Sequence, residues 1–117
     1  MPRCRKCQPV PEEVRRAADL LERRWLLSVL FAAMTGALRF NEFVDAIDGI
    51  SPRMLTERLR DLEEAKLVER TVIPSTPPYV EYRLTRRGRE LAPVIEALHE
   101  YAARSQIADI RSQMKSL

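Results

Sequence analysis

Two runs, Leu67-Val68-Glu69-Arg70-Thr71-Val72 and Tyr79-Val80-Glu81-Tyr82-Arg83-Leu84, are rich in strand formers and flank Pro74-Ser75-Thr76-Pro77-Pro78. β-Branched and aromatic residues on both sides of a proline-rich turn read as a long-looped hairpin. Elsewhere the apolar residues recur at helical spacing. The chain is therefore expected to be mainly α, with one small β-hairpin to accommodate.

After the prolines at 2, 9 and 11, Glu12 and Glu13 place acidic residues in a first helical turn, where the helix dipole favours them. A helix from Glu12 to Arg23 would carry Val14, Ala17, Ala18 and Leu21 on one face. A second, from Trp25 to Met34, is apolar nearly all round and belongs at the centre of the core. Thr35-Gly36 ends it, Leu38-Arg39-Phe40 reads as short and extended, and Asn41 reads as the N-cap of a short third helix bearing Phe43, Val44 and Ile47. Asp48-Gly49-Ile50 then makes a turn. Ser51-Pro52 reads as N-cap followed by proline at the first helical position, opening a fourth helix over 52–65. Beyond the hairpin, Thr85 is expected to cap a long helix with Leu91, Val94, Ile95, Leu98 and Tyr101 inward and a bend at Pro93. A further amphipathic segment sets Ile107, Ile110, Met114 and Leu117 on one face.

A length of 117 residues suits one domain, and 45% hydrophobic with 32% charged residues is the balance of a folded, largely helical protein. The longest apolar stretch, Leu26 to Met34, is interrupted by Ser28 and too short to span a membrane. Arg3, Arg5 and Lys6 are followed by no apolar signal region, so a cytoplasmic protein is expected. One histidine, His99, no glycine-rich phosphate loop and no pocket of paired carboxylates argue against an enzyme, and no cofactor is implied. Cys4 and Cys7 form a C-x-x-C flanked by cations, which would favour the thiolate, so a redox role is open beside that of an inert tail. Two thiols do not complete a tetrahedral zinc site by themselves, so no metal is assigned, while sharing between two subunits would supply four thiolates.

Helix, helix, turn, helix, hairpin, closing helix is the order of a winged helix-turn-helix, which offers one helix to the DNA major groove. At ~100° per residue, Leu55, Leu59 and Leu62 cluster on one side of helix four and Arg53, Thr56, Glu57 and Arg60 on the other. Arginine can bond two acceptors on guanine, threonine can meet a thymine methyl or a phosphate, and glutamate can accept from cytosine. Ser51, Pro52 and the first free N–H groups of the helix suit a phosphate. Arg39 and Asn41 join the DNA-binding set, Arg39 as a contact indifferent to base sequence. The bland alternative is a solvated helix face with Glu57 and Arg60 paired. The net charge of +3 permits polyanion binding without demanding it, whereas the placement of arginines at 53, 58, 60, 83, 86, 87 and 89 says more.

Trp25 with its apolar helix, Arg39-Phe40-Asn41-Glu42-Phe43, Ile50-Ser51-Pro52-Arg53-Met54-Leu55, Arg58-Leu59-Arg60-Asp61-Leu62-Glu63 and Pro77-Pro78-Tyr79-Val80-Glu81-Tyr82-Arg83-Leu84-Thr85 follow one another in order. In these motifs, from roughly Leu20 to Tyr101, the chain resembles the HxlR family of bacterial winged helix-turn-helix regulators, relatives of the MarR type. The resemblance implies a homodimeric, sequence-specific transcription regulator, a repressor by expectation, on a roughly palindromic operator. Helix four would enter the major groove and the hairpin, over 67–84, would serve as a wing. Dimer contacts through the terminal helices would fall on Val14, Leu21, Leu98, Tyr101, Ile107 and Met114, several of which could instead be core. The expected organisation is a flexible tail over 1–11, a winged helix-turn-helix domain over 12–103 and a dimerisation helix over 104–117.

The chain departs from the family in four places. Glu22-Arg23-Arg24 replaces the usual glycines and lysine before the tryptophan, and Lys66 stands where a glycine is common. Tyr79 replaces a frequent basic residue of the wing, which leaves Thr76 and Tyr79 as phosphate or sugar partners. The family's sensor cysteine would fall near Glu12, so any redox chemistry here would rest on Cys4 and Cys7. The second reading is a winged helix used as a protein-interaction module without DNA binding. The effector is not legible.

Overall fold

The computed structural model describes residues 7–105. Cys4, Ile107, Met114 and most of the segment 104–117 lie outside the described residues. In chain order the elements are α1 (Glu12–Leu21), α2 (Leu26–Met34), α3 (Phe40–Ala46), α4 (Pro52–Glu64), β1 (Val68–Ile73), β2 (Tyr79–Leu84), α5 (Arg86–Arg89) and α6 (Ala92–Arg104). The expected layout of helices and one hairpin is present.

The core forms around α2. Leu26, Val29 and Leu30 are fully buried, together with Phe43 of α3 and Leu55 and Leu62 of α4, while Leu59, Val68 and Ile95 are nearly so. Burying side chains of this size stabilises by about 1.5–3 kcal/mol each, so the core fixes α4 through its leucine face. β1 and β2 pair antiparallel with Val68 opposite Leu84 and Ile73 opposite Tyr79, leaving 74–78 as the loop. The Leu38 carbonyl accepts from the Tyr82 N–H at 2.7 Å, so the segment before α3 runs beside β2.

Four expectations need correction. Asn41 is not a cap: α3 starts two residues earlier than a cap there implies, with Arg39 in extended conformation as N-cap and Asn41 already inside the first turn. The reason is Glu42, whose Oε1 accepts from the N–H groups of Arg39 (2.8 Å) and Leu38 (2.9 Å), satisfying donors that a side-chain cap at 41 would not reach. Trp25 does not start α2 but precedes it in a left-handed conformation, φ +74°. The long helix after Thr85 is two: α5 is a single turn, and Pro93 sits in the first turn of α6. Without an N–H, and with a ring that would strike the Arg89 carbonyl in a continuous helix, proline starts a new helix here rather than bending an old one.

Nor does α6 turn its whole apolar side inward. Ile95 is buried and Leu91 packs against the core, but Val94, Leu98 and Tyr101 are 46%, 41% and 53% exposed, as is Val14 of α1 at 51%. Among the described residues, α1 and α6 thus carry exposed apolar surface.

The junction of α4 and the hairpin is tightly built. Lys66 takes the left-handed conformation at φ +61°, its N–H bonds to the Glu63 carbonyl and the Leu67 N–H to the Leu62 carbonyl, both at 2.9 Å. That pair of bonds is a Schellman ending, in a position that favours glycine. Thr85 closes the far end of β2, its hydroxyl donating to the Lys66 carbonyl (2.7 Å) and accepting from the Gly88 N–H (3.1 Å). A methyl group at Gly88 would run into the Leu67 carbonyl oxygen, which explains the absence of a side chain there.

Candidate nucleic-acid interface

α4 begins as its sequence signals. Ser51 Oγ accepts from the Met54 N–H at 3.0 Å, and Pro52 occupies the first helical position. Gly49, at φ +88°, makes the preceding turn in a conformation that a side chain would strain. Ile50 and Leu55 are buried on either side of this start, so the first turn of α4 projects from a fixed base.

With Leu55, Leu59 and Leu62 inward, Arg53, Thr56 and Arg60 are exposed along the outer arc and Glu57 is half-buried beside them. The Arg53 side chain is 91% exposed, and its 3.8 Å approach to Glu57 is a surface pair worth at most about 1 kcal/mol. Arg53 is therefore available to a partner. Thr56 Oγ1 donates to the Pro52 carbonyl at 2.8 Å, which orients the hydroxyl and leaves its methyl and lone pairs outward. The Glu57–Arg60 pair of the solvated-face alternative is not formed. Glu57 lies instead between Arg53 and Arg58, at 3.8 and 3.4 Å, and Arg60 takes part in no ion pair among the described residues.

Arg58 leaves the basic patch altogether. Its side chain is 15% exposed and lies 3.4 Å from Asp61, whose other oxygen meets Arg23 at 2.7 Å. Arg23 comes from the turn between α1 and α2, so Asp61 ties α4 to that turn. Sequence reasoning missed this because the partners lie on different elements; an Arg-x-x-Asp spacing on one helix was its only local sign.

The second cluster lies where α3 meets the wing. The Arg39 guanidinium stacks over the Tyr79 ring, 3.6 Å from its centroid. Asn41 is exposed in the first turn of α3. Two backbone N–H donors hold the Glu42 carboxyl below its ordinary value, the Arg39 bond contributing most and the Leu38 bond next. On β2, Glu81 is almost buried and pairs with Arg83 at 2.7 Å, which raises the arginine above its usual range. Thr76 is exposed in the loop, joined to Pro77 by a cis peptide, and Ser75 Oγ donates to the Pro77 carbonyl at 2.6 Å. Ser51, Pro52, Arg53, Thr56 and Arg60 lie at the start and along the outer arc of α4, and Arg39 meets Tyr79 where α3 approaches β2, while Asn41 is exposed on α3 and Thr76 in the hairpin loop.

Of the remaining candidates, Leu21 packs against the core, whereas Val14, Leu98 and Tyr101 stand on the exposed apolar surface of α1 and α6. His99 is exposed and meets Phe31 edge to face, with ring centroids 5.4 Å apart. Cys7 is exposed. Among the described residues no helix is long and apolar enough to cross a membrane, and no group of His, Cys, Asp and Glu could hold a metal ion.

A family model described as an HxlR-like helix-turn-helix matches residues 20–109. The chain is 40% identical over 87 residues to YvaP of Bacillus subtilis (strain 168), an uncharacterized HTH-type transcriptional regulator, covering 74% of this chain and 81% of that one. It is 41% identical over 86 residues to YodB of the same organism, an HTH-type transcriptional regulator, covering 74% and 77%. The reduced form of YodB matches in structure with a TM-score of 0.71 at 37% identity, over 80% of this chain and 92% of that one. The redox regulator HypR in its reduced form matches with a TM-score of 0.75 at 33% identity, over 91% and 100%. These relatives are regulators, not enzymes.

Proposed function

This chain belongs to the family of HxlR-like helix-turn-helix transcriptional regulators, and from that premise we propose that it is a homodimeric repressor binding a roughly palindromic operator in the cytoplasm. α4 enters the major groove, where Arg53, Thr56, Glu57 and Arg60 read base edges, while Ser51 and Pro52 meet the backbone. The hairpin is the wing. The observation that carries this reading is the two-sidedness of α4: three leucines buried in the core, and across from them an arc whose cations are free or only weakly paired.

The dimer is proposed to form through α1, α6 and the segment 104–117, with Val14, Leu98 and Tyr101 contributing the exposed apolar surface, joined by Leu21, Ile107 and Met114. Two-fold symmetry then sets half-sites one helical turn apart, about 34–36 Å. Repression needs only that this dimer occupy a promoter.

Selecting bound duplexes from a random pool tests the proposal. A symmetric site with that half-site spacing is expected, and enrichment of an asymmetric site, or of none, would overturn it. Titration of mixed-sequence duplex at two salt concentrations separates the protein-interaction alternative, since phosphate contacts make affinity fall steeply with salt. Because HypR is a redox regulator, Cys4 and Cys7 are the first residues to examine for a signal. DNA affinity unchanged by a thiol oxidant would remove that role.

A further inference from the structure

Arg39 is rooted at the start of α3, yet its guanidinium lies on the first residue of β2, 3.6 Å from the Tyr79 ring centroid. Two backbone features make the meeting possible. The Leu38 carbonyl is bonded to the Tyr82 N–H, which draws this segment alongside β2. The Glu42 carboxylate holds the Leu38 and Arg39 N–H groups, which fixes the backbone under the side chain, and its charge acts on Arg39 without forming an ion pair with it.

The charges around the stack are already matched. Tyr79, Glu81 and Arg83 alternate onto one face of β2, and there Glu81 and Arg83 neutralise each other. Among the described residues Arg39 takes part in no ion pair, and it is exposed. A guanidinium stacked through its face keeps its in-plane N–H groups for an anion, and a pair of such donors matches two phosphate oxygens. Stacking also restricts a long side chain before any partner arrives, so less rotamer freedom is lost on binding.

We propose that Tyr79 is a positioning residue whose ring holds Arg39 as a preset clamp for the phosphodiester backbone of duplex DNA. The wing then delivers its phosphate contact through an arginine that belongs to α3, not to the hairpin. This rests on the DNA-binding reading above and deepens it.

The test uses the full chain and a mixed-sequence duplex, with affinity measured across a salt series and thermal midpoints measured alongside. Arg39→Ala is expected to weaken binding roughly three- to tenfold and to flatten the slope of log affinity against log salt by about 0.9 for each phosphate no longer neutralised. Tyr79→Ala should flatten it in the same direction, Tyr79→Phe should keep slope and affinity, and the double alanine variant should bind no worse than Arg39→Ala alone. An unchanged slope in Tyr79→Ala, whatever its thermal midpoint, would overturn the proposal, as would effects that add in the double variant. If the unmodified chain binds no duplex at low salt, the DNA-binding reading itself fails and the clamp with it.

Discussion

Arg53 stands at the second position of α4 with its side chain almost wholly in solvent, tethered only by a long surface pair to Glu57. A residue so placed costs little to redirect, so its truncation should be felt in recognition rather than in folding. Arg53→Ala is expected to weaken binding to the selected operator by about 1–3 kcal/mol and to relax preference at one base pair, read by titrating single-position variants of that site. Intact preference would show that α4 is turned differently on the duplex. Lys66 is the opposite kind of residue, one whose effect falls on folding. Its left-handed conformation completes the Schellman ending of α4, and a Cβ there is unfavourable. Lys66→Gly should therefore raise unfolding stability by up to about 1 kcal/mol in a urea titration, with DNA affinity unchanged. The sequence exposed both residues, Arg53 by its phase on the helix and Lys66 by departing from a family glycine, because each depends on local backbone geometry.

At the scale of elements, α3 shows how a start signal can be misread. Asn41 has the right chemistry for a cap, but Glu42 three residues beyond Arg39 captures two backbone donors and sets the boundary earlier. Those same bonds create a pH dependence. The folded Glu42 carboxyl lies below its ordinary 4.5, so its contribution is complete above that value and is lost as pH falls through the folded one, where the unfolded chain has already taken up the proton. The stability advantage of the native chain over Glu42→Gln is expected to shrink as pH falls below about 4.5, followed by urea unfolding across an acid pH series. A constant difference would mean that the carboxylate charge does not matter to the α3 start. The split between α5 and α6 has a similarly local cause in Pro93, and only its severity, a break rather than a bend, went beyond the sequence.

For the whole molecule, the decisive feature is apolar surface left exposed on α1 and α6 among the described residues. Val14 on α1 and Val94, Leu98 and Tyr101 on α6 lie outside a core that is otherwise closed around α2. Charging this surface should separate protomers while leaving the fold intact: Leu98→Glu with Tyr101→Glu is expected to shift the mass in sedimentation from dimer to monomer and to weaken operator binding by more than tenfold, since each half-site then binds alone. An unchanged mass would place the dimer interface elsewhere. By itself the sequence determined the order of elements, the opening of α4 at Ser51-Pro52, its leucine face and the hairpin, because caps, periodicity and turn chemistry are written within a few residues of one another. Only the tertiary structure decided which charges are engaged and which remain available. Arg58 turned inward to Asp61, which also holds Arg23, Arg39 crossed to Tyr79, and Arg60 stayed without the pairing its spacing suggested. The helical face of Leu98 and Tyr101 was likewise legible, but not its exposure among the described residues. Such outcomes depend on distances between residues remote in sequence, and those distances exist only once the core has closed.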